Sequence, residues 1–174
     1  MRFRAMPALL LAAVLLLSGC GSSGEHAADT PTDGSATAGS SSDTANLSFT
    51  SSTLDGSPFD GAQLAGKPAV LWFWAPWCPT CRAQAPAVSS LAQKYGAKVS
   101  ILGVGGLADV SDIRDYAQEV DGPIHLIDPE GAVWRHFGVT AQSTYVVLDA
   151  DGGVVAEGYL DDYVLAAKVA ELLS

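Results

Sequence analysis

The sequence predicts a mixed α/β domain, in which helices cover a β-sheet, over residues 47–174. Three observations support this fold class. A continuously apolar run at 69–74 is typical of a strand buried on both faces. Strand-like and helix-like segments alternate after it. Near the C-terminus, the turn residues at 149–153 join two short strands into a hairpin.

The individual elements follow in chain order. Residues 47–50 alternate and predict a strand, and 54–59 predict a strand, a turn and a strand. After the buried strand, a helix is predicted over 79–95, its core side formed by Ala83, Val88, Leu91 and Ala92. Further strands are predicted at 98–104, 124–127, 145–148 and 154–156, and further helices at 109–120, at 130–137 and from Asp161 or Asp162 to 173. Expected core residues among the others are Trp72, Phe73, Trp74, Val110, Ile113, Tyr116, Ala117 and Trp134.

Composition limits the function classes. The 174 residues suffice for one domain of ordinary size. With 9 basic and 19 acidic residues, the net charge of −10 argues against a nucleic-acid partner, because phosphate binding needs a basic surface. Three cysteines can supply neither a four-cysteine metal site nor a miniprotein held by several disulfides.

The N-terminus is predicted to be a signal peptide over residues 1–19. A basic start with Arg2 and Arg4 precedes an apolar run at 8–17, which is too short to span a bilayer comfortably. The alternative is an uncleaved membrane anchor. Residues 17–20, Leu-Ser-Gly-Cys, resemble the lipobox of bacterial lipoproteins. This resemblance implies that Cys20 starts the mature chain and carries acyl groups such as palmitate, which anchor it to a membrane.

Residues 20–46 are predicted to form a flexible tether after that anchor. Residues 21–46 include no aromatic and no branched aliphatic residue, so the segment cannot bury enough apolar surface to offset the entropy of ordering. As a flexible coil it would place the domain roughly 25–30 Å from the membrane.

Two cysteines at the start of the first long helix carry the predicted chemistry. With Pro79 at the first helical position, Cys78 lies at the helix N-terminus, where unpaired N–H groups and the helix dipole stabilise a thiolate. Cys81 follows one helical turn later, within disulfide reach. The spacing predicts a redox-active pair, in which Cys78 attacks and the more buried Cys81 resolves the mixed disulfide.

Other chemistries stay open for these cysteines. A structural zinc site needs two more ligands, and His125 and His136 are the histidines of the domain. A purely structural disulfide would close a short loop and stabilise little. A peroxidatic cysteine would need Thr or Ser three residues earlier, where Ala75 stands.

Residues 73–82, Phe-Trp-Ala-Pro-Trp-Cys-Pro-Thr-Cys-Arg, resemble the active site of thioredoxin-fold proteins, above all the extracytoplasmic TlpA/ResA/DsbE type. Pro86 matches the proline that kinks the active-site helix, and 54–56, 64–68, 128–131 and 148–152 also fit. The resemblance implies a thioredoxin-like mixed sheet flanked by helices, with an N-terminal β extension. It also implies a membrane-tethered thiol–disulfide oxidoreductase on the extracytoplasmic face of a bacterial membrane, which works through a Cys78–Cys81 disulfide and needs no soluble cofactor.

The sequence departs from this family twice. Ser143 stands where the family has a cis-proline facing the cysteines, and the cost of a non-proline cis bond, about 3 kcal/mol, favours a trans Gln142–Ser143 bond. This departure puts partner binding by the loop Gln142 to Thr144 in doubt and makes metal capture less implausible. Trp72 stands where thioredoxins carry a buried acid, and Asp109 and Asp128 are candidates to replace it.

The resemblance also implies the partners and the supporting residues. Partners are exported protein thiols or disulfides and a membrane redox protein that recycles the site, with the chain acting as a monomer. Trp77 is expected to contact a partner polypeptide, Pro79 and Thr80 to tune the potential, and Arg82 to favour the thiolate or face solvent. The Pro-Thr dipeptide differs from the Gly-Pro of thioredoxin, which favours an oxidant over a reductant. The alternatives are a copper- or zinc-binding lipoprotein using Cys78, Cys81 and His136, and a partner-binding protein without catalysis.

Overall fold

The computed structural model describes residues 44–174, so the predicted signal peptide, the predicted acylation site Cys20 and most of the predicted tether lie outside the described residues. The described part contains a single sheet, four α-helices and a 3-10 helix. In chain order these are β1 (Thr50–Thr53), β2 (Pro58–Asp60), the 3-10 helix (Gly61–Leu64), β3 (Ala69–Trp74), α1 (Pro79–Tyr95), β4 (Ser100–Gly106), α2 (Val110–Ala117), β5 (Ile124–Asp128), α3 (Ala132–His136), β6 (Thr144–Leu148), β7 (Val154–Gly158) and α4 (Asp162–Glu171).

The sheet is mixed and has the order β2-β1-β5-β4-β3-β6-β7. β3, β4 and β5 run parallel, while β6 pairs antiparallel with β3 and β1 pairs antiparallel with β5. β3 lies between two neighbours, and all six of its residues are buried. The prediction of a strand covered on both faces is therefore confirmed.

Side chains that alternate along β3 enter two separate cores, one on each face of the sheet. Val70, Trp72 and Trp74 belong to the core that α1, α2 and α4 cover. Leu71 and Phe73 belong to the core on the α3 side, where the ring of Trp134 meets Phe73 edge to face at 5.7 Å. The tryptophans at 72, 74 and 134 are core residues, as predicted.

Helix α1 has the predicted bounds, but its buried face differs from the prediction. Ala83 is exposed, and the buried residues are Cys81, Gln84, Val88, Leu91 and Ala92. The spacings of three and four residues from Cys81 to Gln84 to Val88 follow the helical repeat. The prediction was wrong because it assigned the face by apolar residue type and therefore passed over a glutamine.

Two further expectations need correction. The strand predicted at 47–50 is misplaced: the Phe49 amide donates to the Leu47 carbonyl at 3.0 Å, and β1 starts only at Thr50. Val110 is exposed, because α2 starts there and its inward face begins at Ile113. The hairpin of β1 and β2 at the sheet edge is the predicted N-terminal β extension.

Residues 44–46, assigned to the tether by composition, contact the domain. Thr44 bridges to Gly153, and the Ala45 amide donates to the Gly152 carbonyl at 2.9 Å. Backbone hydrogen bonds hold this segment although its side chains are small. No helix within 44–174 is both long and apolar enough to cross a membrane.

His125 on β5 is buried in a way that makes the stability of the domain depend on pH. Its Nε2–H donates to the Val120 carbonyl at 2.9 Å, while its buried Nδ1 has no partner among the described residues. Burial lowers the pKa of His125, because the charged imidazolium is desolvated more than the neutral ring. The folded state therefore binds a proton on His125 less readily than the unfolded state does.

The expected result is a loss of stability as the pH falls below about 6.5, the ordinary histidine pKa. Above that value both states are neutral at this site and the stabilisation is complete. Below it, each pH unit removes up to about 1.4 kcal/mol until the folded-state pKa is reached. Urea unfolding at pH 7.5 and 5.5 measures this loss, and His125→Gln should reduce it. An unchanged pH dependence in that variant would contradict the assignment.

Candidate active site

The two cysteines lie where β3 leads into α1. β3 ends at Trp74, three residues form the connection, and Cys78 takes the cap position before Pro79. Cys78 and Cys81 are joined by a disulfide, with their Cα atoms 5.3 Å apart. The exposed fraction is 3% for Cys78 and zero for Cys81. The arrangement can take up two electrons as the disulfide is reduced to two thiols.

The helix N-terminus points at the sulfur of Cys78. The backbone amide of Cys81 donates to Cys78 Sγ at 3.1 Å, and Pro79 at the first helical position has no N–H that would need a partner. Together with the helix dipole, this amide favours negative charge on Cys78 in the reduced state. The Cys81 amide is thus the donor placed next to Cys78 Sγ, where a thiolate would form when the disulfide is reduced.

The residues around the disulfide differ in exposure. The side chain of Trp77 is 56% exposed, and Pro79 and Thr80 also face solvent. Arg82 is held close to the chain: its Nε donates to the Pro76 carbonyl at 3.0 Å, and its guanidinium lies 4.5 Å from the centre of the Tyr116 ring. Trp77 is therefore a large, exposed apolar side chain directly next to Cys78 in the chain.

Gln84 is a buried polar residue of α1 that sequence reasoning missed. Its Oε1 accepts hydrogen bonds from Trp72 Nε1, at 3.0 Å, and from the Ser143 hydroxyl. Its Nε2 donates to the Leu160 carbonyl at 3.4 Å. Gln84 lies one helical turn after Cys81, so these bonds connect the cysteine-bearing helix to β3 and to the loop before β6. Gln84 stands three residues after Cys81 and four before Val88, and this helical spacing was the sequence signal that could have indicated its burial.

The loop Gln142 to Thr144 reaches the active-site end of β3. Thr144 pairs with Phe73 in the sheet, and its hydroxyl donates to the Ala141 carbonyl at 2.7 Å. Ser143 is buried and Gln142 is half-buried. The peptide bond between them is cis, so the prediction of a trans bond was wrong. That prediction weighed only the intrinsic preference of the bond and not the contacts of Ser143 and Thr144, which position the loop.

Neither candidate acid lies free beneath the disulfide. Asp109 is exposed at the start of α2. Asp128 is buried at the end of β5, two strands away from β3, and its carboxylate accepts from three backbone amides at the start of α3. Burial raises the pKa of Asp128, although these three hydrogen bonds oppose the shift. The structure therefore gives Asp128 a helix-capping role.

The alternative of a metal site at Cys78 and Cys81 finds no third ligand in the described part of the chain. Within residues 44–174, no three His, Cys, Asp or Glu side chains come close enough to hold a metal ion. His136, the ligand considered with Cys78 and Cys81, contacts the Asn46 carbonyl and packs 5.3 Å from the Phe49 ring. These contacts place His136 on the α3 side of the sheet, whereas Cys78 and Cys81 pack in the other core.

Comparison with known proteins agrees with this geometry. The Redoxin family model matches residues 37–172. The soluble secreted antigen MPT53 of Mycobacterium tuberculosis is 44% identical over 107 residues, which cover 61% of this chain and 61% of that protein. The thiol-disulfide oxidoreductase ResA of Bacillus cereus is 30% identical over 113 residues, covering 63% and 64%. The match thus spans less than two thirds of the length of these relatives.

Solved structures extend the comparison to the fold. The structure of MTB dsbF, in its mixed oxidized and reduced forms, matches with a TM-score of 0.68 and 42% identity, covering 72% of this chain and 96% of that one. A secreted Mycobacterium tuberculosis disulfide oxidoreductase homologous to E. coli DsbE matches with a TM-score of 0.66 and 37% identity over the same shares. The chain therefore belongs to the Redoxin family and has the thioredoxin-like fold.

Proposed function

We propose that this protein is an extracytoplasmic thiol–disulfide oxidoreductase that exchanges disulfides with exported proteins through Cys78 and Cys81. The observation that carries the proposal is the disulfide at the N-terminus of α1, with the Cys81 amide directed at Cys78 Sγ. Relatives whose names describe thiol–disulfide oxidoreductases support it. A secreted relative supports an extracytoplasmic location.

The exchange proceeds in two balanced steps. In the reduced chain, the Cys78 thiolate attacks one sulfur of a partner disulfide, so a mixed disulfide forms and a partner thiolate leaves. The Cys81 thiolate then attacks Cys78 Sγ, which forms the Cys78–Cys81 disulfide and releases the second partner thiol. The partner gains two electrons and the chain loses two. In the oxidising direction the same steps run in reverse.

Supporting residues have separate roles in this proposal. Trp77 provides apolar contact for the partner, and the loop Gln142 to Thr144 faces the disulfide. Pro79 and Thr80, between the cysteines, tune the potential. Cys20 carries the acyl groups that tether the domain to the outer face of the membrane, where a membrane redox protein recycles a monomer.

The reduction potential of the Cys78–Cys81 couple tests the direction of the reaction. Stabilising the Cys78 thiolate stabilises the reduced form, so we expect a potential above about −200 mV, between thioredoxin at about −270 mV and DsbA at about −120 mV. The measurement is equilibration in glutathione buffers with tryptophan fluorescence, in a Cys20→Ser chain that retains only two thiols. A value below about −250 mV would contradict the oxidase assignment and indicate a reductase. No reversible transition at all would contradict the oxidoreductase itself.

A further inference from the structure

An exposed apolar surface lies next to the disulfide, formed by Trp77, Leu107 and Val110, and is here called the tryptophan face. The exposed fractions of these side chains are 56%, 45% and 42%. Trp77 Nε1 donates to the Leu107 carbonyl at 2.9 Å, which fixes the indole on the loop between β4 and α2. The face is thus held in place before any partner arrives, which lowers the entropic cost of binding.

A groove of about 340 Å³ adjoins this face and runs along α2. Trp77 and Arg82 line it from the active-site loop and α1, and Asp112, Asp115 and Glu119 line it from α2 and the residues after it. Arg82 lies 3.5 Å from the Glu119 carboxylate. Asp112 and Asp115 form no ion pair with any residue in the range 44–174, so the groove retains two uncompensated negative charges.

Tyr116 also lines the groove and points independently to a ligand. The residue is 4% exposed, and its hydroxyl has no hydrogen-bond partner among residues 44–174. Burial raises the pKa of Tyr116, so the hydroxyl stays protonated and able to donate. A buried hydroxyl without a partner costs free energy, so Tyr116 adds an unsatisfied donor to the wall of the groove.

We propose that this groove binds the segment of an exported protein that flanks its reactive cysteine, and that it selects a lysine or arginine in that segment. The inference rests on the proposed function and names its substrate class. The aliphatic stem and cationic head of such a side chain fit an indole face next to carboxylates. A second copy of the chain is a poor occupant, because its net charge of −10 would repel the groove.

Two single-cysteine peptides test the selection, one with lysines and one with glutamates beside the cysteine, each joined to thionitrobenzoate by a disulfide. The reduced Cys20→Ser chain transfers two electrons to this disulfide and releases the peptide thiol and the chromophore. Flanking charges also change intrinsic reactivity, so each rate is divided by the rate with dithiothreitol, a neutral dithiol. The ratio of the normalised rates, lysine peptide over glutamate peptide, should be about five at low salt, the effect expected of two exposed ion pairs. Near 1 M salt, where these charges are screened, the ratio should approach one.

The double variant Asp112→Asn/Asp115→Asn should lower the ratio to about one. Asp151→Asn/Glu157→Gln changes the net charge equally, but at exposed positions on the β6–β7 hairpin, and should preserve the ratio. A ratio near one in the parent chain, or the same fall in both double variants, would overturn this inference while leaving the proposed function intact. If the reduced chain releases no chromophore from either peptide, the proposed function fails and this inference fails with it.

Discussion

Replacing Cys78 with serine is expected to reduce disulfide exchange to the uncatalysed rate, whereas Cys81→Ser should leave a chain that attacks once and then stays bound to its partner. The difference follows from position. Cys78 Sγ receives the Cys81 amide at the helix N-terminus, so its thiolate is the stabilised one, while Cys81 is fully buried. A serine hydroxyl at 78 is not ionised at neutral pH and cannot replace the thiolate.

Both variants are best made in the Cys20→Ser background, where one thiol then remains in each. The assay mixes the chain with a disulfide-bonded peptide and measures the mass of the protein without reducing agent. Cys81→Ser should gain the mass of one peptide chain through a disulfide to Cys78, and Cys78→Ser should gain none. If Cys78→Ser formed the adduct as fast as Cys81→Ser does, the assignment of Cys78 as the attacking cysteine would be wrong.

The site illustrates which features can be predicted from sequence. Helix α1 begins and ends where predicted, because Pro79 suits a first helical position and the signal is local. The same local analysis missed Gln84, although its helical spacing from Cys81 and Val88 marks the buried face, because a glutamine on a helix is ordinarily exposed. Its hydrogen-bond donors, Trp72 and Ser143, lie on other elements. The helical repeat therefore indicates the position of Gln84, whereas the donors that bind its side chain follow only from the tertiary structure.

The loop before β6 shows the same limit. From the sequence, Ser143 is an ordinary residue for which a trans bond is preferred by about 3 kcal/mol. The hydrogen bond to Gln84 and the pairing of Thr144 with Phe73 are long-range contacts, and no local pattern encodes them. The prediction for Val110 was wrong for the converse reason. An apolar residue at the start of a helix was assigned to the core, although its side chain is exposed and belongs to the tryptophan face.

Truncation of Trp74 is expected to have the largest effect on stability. Trp74 is fully buried at the end of β3, and its ring lies 5.0 Å from the Tyr116 ring and 5.8 Å from the Trp72 ring. Trp74→Ala should lower the free energy of unfolding by about 3–5 kcal/mol, measured by urea denaturation. Trp74→Phe is the matched control. It keeps most of the apolar volume and removes a buried Nε1–H that has no partner in the described structure, so its cost should be much smaller.

Gly105 on β4 explains why this tryptophan fits. A Cβ at position 105 would lie 2.7 Å from Trp74 Cζ2 and 2.6 Å from Ile113 Cγ2, so Gly105→Ala should cost about 1–3 kcal/mol by overpacking. Part of that cost is contact with the indole itself. The double variant Gly105→Ala/Trp74→Phe should therefore lose less free energy of unfolding than the two single variants lose together. The expected difference is at least about 0.5 kcal/mol. Strict additivity would mean that Ile113 alone excludes the methyl group. Non-additivity would show that Gly105 on β4 leaves the space that Trp74 fills on β3, the strand that leads to Cys78.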